Sequence, residues 1–315
     1  MTLWRDIKYN SFRMLNSVLA PVDSFYLSGG ETEWQERPPA FIIGPPRSGT
    51  TLFYQLLISK YDVGYPNNLM GKFYRCPNLA ARMTATHYQE RNSQIEFASE
   101  YGNTPGLYGP HEFGEFWNRW FPKDPHYLDE DDLTEDAIQD IRQNISSLLN
   151  YLDHPILFKN VLHSMRIKAL FRIFPNALFL VCERDPVFTA QSIYLTRKNF
   201  PAAKSGWWSV KPKEYNEIQE KSLLEQSVLQ VYYVTRQIQE DAAKTEPDRF
   251  HWLTYETLCR NTREELGKVR DFLEDHGFNM TSTDIAIPLV NASNEQRLNA
   301  EEYANLTKLV DHYWN

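Results

Sequence analysis

Apolar residues fall along this chain in two alternating rhythms. Short runs rich in β-branched and aromatic residues, bounded by turn formers, predict buried strands: AFIIG (Ala40–Gly44, with a proline pair on either side), PILFK (Pro155–Lys159), ALFLVCERD (Ala177–Asp185) and RFHWLTY (Arg249–Tyr255). Other stretches carry apolar residues at helical spacing. Thr51–Lys60 places Leu52, Leu56 and Leu57 on one side. In DLTEDAIQDIRQNISSLLNYLD, Thr134 suits an N-cap and Glu135 and Asp136 suit the positive end of the helix dipole. Ile138, Ile141, Ile145 and Leu148 or Leu149 form its apolar stripe. MRIKALFRIF reads as a helix stopped by Pro175, and Pro186 opens VFTAQSIYLTRK from the first helical position. Further helices are expected over Lys213–Lys244, Thr262–Glu274 and Ala300–Tyr313.

Strands alternating with helices predict an α/β fold of three layers, with a parallel central sheet flanked by helices. Ligands in such sheets lie beyond the carboxyl ends of the strands. The residues just after Ile43, Phe158, Val181 and Leu253 are therefore the ones to watch: Gly44–Thr51, Lys159, Arg184 and Tyr255–Glu256. Residues 61–132, rich in aromatics, glycine and proline, show no clear period. They are expected to form an irregular insertion beside the site, within a single domain spanning 1–315.

Composition narrows the classes. At 42% hydrophobic over 315 residues the chain can bury a sizeable core. Its net charge of −8 argues against a nucleic-acid partner but leaves room for a local cationic pocket. Cys76, Cys182 and Cys259 are too far apart for metal-ligand spacing and odd in number, so free thiols and no metal are expected. No apolar run approaches the about 20 residues of a membrane span. The N-terminal MTLWRDIKYNSFRMLNSVLAP has charges scattered through it, unlike a signal peptide, so a cytoplasmic location is expected.

The first strand leads into FIIGPPRSGTTLF. Gly44, Gly49 and Thr51 keep the spacing of a nucleoside-triphosphate loop, but Thr50 stands where such loops carry lysine, and Arg47 is the only cation. Backbone N–H groups at a helix N-terminus bind phosphate whatever the side chains. With one arginine, two threonines and a serine, the loop suits a ligand with fewer linked phosphates and no metal.

PPRSGTT resembles the 5′-phosphosulfate loop of sulfotransferases that use 3′-phosphoadenosine 5′-phosphosulfate (PAPS), in the arginine form of the tyrosylprotein and many bacterial enzymes. FLVCERDPVFTAQS resembles the family's 3′-phosphate motif, in which a strand-end arginine precedes a serine as Arg184 precedes Ser192. FKNVLHSMRIKALFRIFPNALFL and FHWLTYETL are similar to later family segments, so the likeness covers Ala40–Leu57 and Ile156–Glu274. It implies a P-loop-containing, nucleotide-hydrolase-like sulfotransferase fold and a metal-free transfer of a sulfuryl group from PAPS to a small-molecule or glycan hydroxyl, leaving the product PAP. The acceptor would be a carbohydrate, lipid or small natural product.

The resemblance also distributes roles. Arg47 and Lys159 would stabilise charge on the departing oxygen, and Ser48, Gly49, Thr50 and Thr51 would hold the 5′-phosphate. Arg184 and Ser192 would grip the 3′-phosphate. The family's general base is missing from both familiar places. Tyr65–Asn68 replaces the glutamate of the tyrosylprotein enzymes, and Val161 replaces the histidine that follows the central lysine in the phenol and steroid enzymes. Glu112 is favoured as the base, ahead of His111 and then His163. For adenine, Leu52 replaces a stacking tryptophan, leaving Trp207 or Trp208 as a cover, with Asn291, Ser293 and Arg297 as further contacts to adenine or the 3′-phosphate. Two other readings compete: a divergent P-loop nucleotide kinase or NTPase with Glu183 on magnesium, and a non-catalytic PAP-binding protein.

Overall fold

A computed structural model describes residues 2–85, 95–99, 102–199 and 206–315. Four strands form a parallel sheet in the order β3–β1–β4–β5: β1 (Ala40–Ile43), β3 (Leu157–Lys159), β4 (Leu178–Glu183) and β5 (Phe250–Thr254). A short antiparallel pair, β2 (Tyr61–Asp62) and β6 (Thr281–Ser282), stands apart from it. The expected strands are all present, each a little shorter than its apolar run: at the carboxyl end in β1, at the amino end in β3 and at both ends in β4 and β5.

Alternation along the strands gives the sheet two different faces. On one, Phe158, Phe41, Phe179 and Phe250 sit in register across all four strands, with successive ring centroids 5.4, 5.6 and 4.9 Å apart. This ladder is covered by Ile138, Ile141, Ile145 and Leu148 of the helix Glu135–Leu152, by Leu170 of Ile167–Ile173, and by Val234 and Ile238 of Leu223–Lys244. On the other face, Ile42, Leu157, Leu180 and Leu253 pack under Thr50–Lys60 and Thr262–Asp275. The strands β1, β3 and β4 are thus buried from both sides, as parallel pairing favours, while the edge strand β5 exposes Trp252. A third cluster joins Pro186–Asn199 and Leu223–Lys244 to the C-terminal helix Ala300–Trp314.

Two expectations need correction, and one helix was not expected. The long helix does not start at Lys213. A four-residue turn of helix, Tyr215–Ile218, precedes a break, and Leu223–Lys244 starts afresh at Ser222, whose side chain accepts from Glu225 N. Gln226 holds the break by donating to the carbonyls of Gln219 and Lys221. The 61–132 stretch is not irregular throughout; it contains the helices Asn68–Lys72, Pro77–Ala85 and Gly114–Trp117. Residues 86–94 and 100–101 of that stretch, and Ser205 of the SGWWS segment, lie outside the described residues. Finally, Thr2–Asp23 forms a helix that the apolar pattern did not announce.

Candidate active site

The site lies beyond the carboxyl ends of β1, β3, β4 and β5. The loop after β1 makes a tight cradle. Gly44 has φ +152°, and a Cβ there would stand 2.3 Å from the Cys182 carbonyl oxygen, so only glycine lets β1 turn beside β4. Gly49, at φ +97°, would drive a Cβ to 2.4 Å from the Tyr255 ring. Between them Arg47 itself adopts φ 70°, a left-handed conformation that costs a non-glycine residue on the order of 1–2 kcal/mol. Two contacts hold it there: Arg47 Nε donates to Ser192 Oγ at 2.9 Å, and Arg184 Nη1 donates to the Arg47 carbonyl at 3.1 Å.

The helix Thr50–Lys60 begins at this cradle, and the N–H groups of its first turn have no acceptor within the helix. Gly49, Thr50 and Thr51 line a cavity of about 300 Å³ together with Arg47, Lys159 and Arg184. Ser48 differs from expectation. Its amide donates to Pro45 O, its carbonyl accepts from Cys182 Sγ, and it does not line the cavity. These two contacts close the loop.

Lys159 ends β3 with its side chain 3% exposed, and its ammonium is paired with the carboxylate of Glu112. Glu112 comes from the loop after the turn at Gly109–Pro110, and its carbonyl accepts from Asn160 Nδ2, next to Lys159. Asn68, at the place where the resemblance leads one to look for a glutamate, instead donates to the carbonyls of Thr104 and Gly106 and so pins the loop that delivers Glu112. Ser164 ties the lysine segment to the cradle: its hydroxyl accepts from Gly44 N at 3.0 Å and donates to Gly44 O at 3.1 Å.

At the far end of the cavity, Arg184 packs over the Tyr255 ring, 4.7 Å from its centroid. Its Nε donates to Asn294 Oδ1 at 3.0 Å and its Nη2 to Ser293 O at 2.9 Å. Asn294 donates in turn to Glu256 at 2.6 Å. Burial shifts the Arg184 guanidinium below its usual pKa. A second cavity of about 340 Å³ adjoins, lined by Arg47, Ser99, Ser192, Thr196, Asn199 and Arg297. Arg47 belongs to both cavities. Arg184 and Ser192 are therefore joined through Arg47, and the two lie on different cavity walls.

Other candidates lie elsewhere. His111 does not line the cavity; its Nδ1 accepts from Phe113 N, its ring packs on Gly71, and burial lowers its pKa. His163 is fully buried among Phe41, Trp117 and Phe121, with neither ring nitrogen partnered among the described residues, and burial pushes its pKa well down. Trp207 donates to Val210 O and stacks edge-on with Tyr215, whereas Trp208 does line the cavity. Ser293 lines it; Asn291 is exposed and does not. Asn160, Ser164 and Asn294 were not singled out from the sequence. They are short polar residues in ordinary turns, and only the fold shows what they hold.

Phosphate-sized anions suit this arrangement: three cations and one carboxylate line a cavity floored by unpaired amides, in a chain of net charge −8. Two curated relatives, the omega-hydroxy-beta-dihydromenaquinone-9 sulfotransferases Stf3 of Mycobacterium bovis and Mycobacterium tuberculosis, are each 24% identical over 317 aligned residues, covering 88% of this chain and 73% of theirs. Among solved structures, sulfotransferase STF9 of Mycobacterium avium is 16% identical with a TM-score of 0.46, covering 89% of this chain and 72% of its own. A sulfotransferase from Alicyclobacillus acidocaldarius is likewise 16% identical with a TM-score of 0.46, covering 88% and 92%. The family described as the sulfotransferase family matches residues 38–276, more than half of the chain and all four strands of the main sheet, and the chain belongs to that family.

Proposed function

We propose that this protein transfers a sulfuryl group from PAPS to a hydroxyl acceptor by in-line displacement. The observation that carries the reading is the meeting, in one cavity, of Arg47, Thr50 and Thr51 with the paired Lys159 and Glu112. PAPS supplies a sulfuryl group on a 5′-phosphate, whose sulfur–oxygen bond breaks as a bond from the acceptor oxygen to sulfur forms. The first-turn amides and the hydroxyls of Thr50 and Thr51 hold that phosphate. Arg47 and Lys159 stabilise the negative charge growing on the oxygen that leaves. Glu112 takes the acceptor proton. Arg184, braced by Ser293 and Asn294, and Ser192, braced by Arg47, hold the far end of the donor, and Tyr255 with Trp208 flanks it.

Glu183 speaks against the kinase reading. The carboxyl at the end of β4 does not line the cavity, and burial raises its pKa. We infer that one domain carries this chemistry, in the cytoplasm, on a carbohydrate, lipid or small natural product. Because the Mycobacterium relatives are named for a hydroxylated menaquinone derivative, hydroxylated isoprenoid quinones head the acceptor screen. The test incubates the full chain with sulfur-labelled PAPS and such acceptors. Label in the acceptor matched by PAP release supports the proposal; tight PAP binding with no transfer to any acceptor leaves a non-catalytic binding protein.

A further inference from the structure

The helix Thr2–Asp23 packs on the segment of the insertion that leads to Glu112. Asn16 Nδ2 donates to Lys72 O, Asn16 Oδ1 accepts from Arg75 N, and the buried Asp23 accepts from Asn78 and from Leu79 N. Those contacts occupy one side of the helix. The opposite side carries Met14, Val18 and Val22 at helical spacing, with Leu15 beside them and Phe25 just beyond. Met14 is 73%, Val18 63% and Phe25 85% exposed. A run of large apolar side chains turned outward on one face is a surface with work to do.

The charges around this face differ from those of the whole chain. Arg75 and Arg82 are exposed beside it, placed by Arg75 Nη1 donating to Ser17 Oγ and by the Arg82 guanidinium lying over the Tyr26 ring. Between Phe12 and Tyr26 the only acid is Asp23, and it is buried against Asn78. A chain of net charge −8 thus presents an apolar ridge bordered by basic groups. That combination fits an anionic bilayer surface: the apolar face enters the headgroup boundary and the cations meet lipid phosphates.

We propose that this face docks the protein reversibly on anionic lipid surfaces. Asn16 and Lys72 connect it, through Gly71 packed on the His111 ring, to the loop that carries Glu112. Docking therefore sets the Glu112 side of the molecule near the bilayer. The inference stands on the exposed face and its charges and does not depend on which group the enzyme transfers.

Flotation of the full chain with vesicles tests it. Binding is expected to equimolar phosphatidylcholine and phosphatidylglycerol, to weaken with added salt, and to be small on phosphatidylcholine alone. Val18→Asp with Phe25→Asp abolishes flotation. Arg75→Glu with Arg82→Glu lowers partitioning by about tenfold or more. Melting temperature and PAP affinity stay unchanged in both variants, which separates lost docking from lost folding. The proposal is overturned if the chain does not float, or floats equally well with both double variants. It is also overturned if the face proves to be covered by a second copy, seen as a dimer that Val18→Asp with Phe25→Asp splits.

Discussion

Arg47 Nε donates to Ser192 Oγ at 2.9 Å, joining the loop after β1 to the helix that follows β4. The contact makes one arginine part of both cavities and fixes a left-handed backbone at its own position. In the proposed reading both phosphates of the donor are felt through it. Ser192→Ala removes one neutral hydrogen bond and should weaken PAP binding by about 1 kcal/mol, roughly fivefold. Arg184→Ala removes a charged contact and should cost about 1.5–3 kcal/mol. Calorimetric titration of each variant with PAP checks both values, and equal affinities throughout would show that the far end of the donor lies elsewhere.

The Lys159–Glu112 pair carries the proposed proton transfer and charge stabilisation. Glu112→Gln keeps the side-chain shape and the Asn160 contact to the Glu112 carbonyl, so PAP affinity should hold while kcat falls about 100- to 10,000-fold. Lys159→Ala should also depress turnover more than PAP affinity. Single-turnover transfer measured beside PAP binding checks the split. A Glu112→Gln enzyme with normal turnover would hand the proton to another group.

His163 tests the opposite expectation. Its ring sits in an aromatic cage with both nitrogens unpartnered, which is costly for a polar group. His163→Phe should therefore leave turnover unchanged and match or raise the melting temperature. Lost activity with an intact fold would return this residue to the list of candidate bases.

Asp241 predicts a pH dependence. It is 1% exposed in the helix Leu223–Lys244, accepts a single side-chain bond from Gln237, and is pushed by burial up to about 6 from an ordinary 3.8. The folded state thus keeps a proton that the unfolded chain gives up. Its contribution is fully present below about pH 4 and is lost as pH rises to about 6. Asp241→Asn should gain stability over wild type across that window, by about 2–3 kcal/mol at neutral pH. Denaturant melts of both proteins from pH 4 to pH 7 check it.

Much of the fold was legible because β1, β3 and β4 are buried on both faces and so read as apolar runs, as in Leu178–Cys182. Parallel pairing was expected from strand–helix alternation, whereas the order β3–β1–β4–β5 was not written in it. What escaped was set by contacts between distant residues. Glu112 and Lys159 are 47 positions apart, and nothing local marks them as partners; Glu112 was only favoured over its neighbour His111, whose ring the fold turns onto Gly71. Trp207 and Trp208 are adjacent and alike in sequence, yet only the second reaches the cavity. The helix Thr2–Asp23 was hidden for a different reason: Met14, Val18 and Val22 face outward, so their period does not mark a core.

The most direct test of the central claim is calorimetric titration of the full chain with PAP, ADP and ATP, each with and without magnesium. A cradle with Thr50 in place of lysine, and Arg184 and Ser192 at its far end, predicts strong PAP binding that ignores magnesium and weak binding of ADP and ATP. Preference for ATP with magnesium would contradict the account.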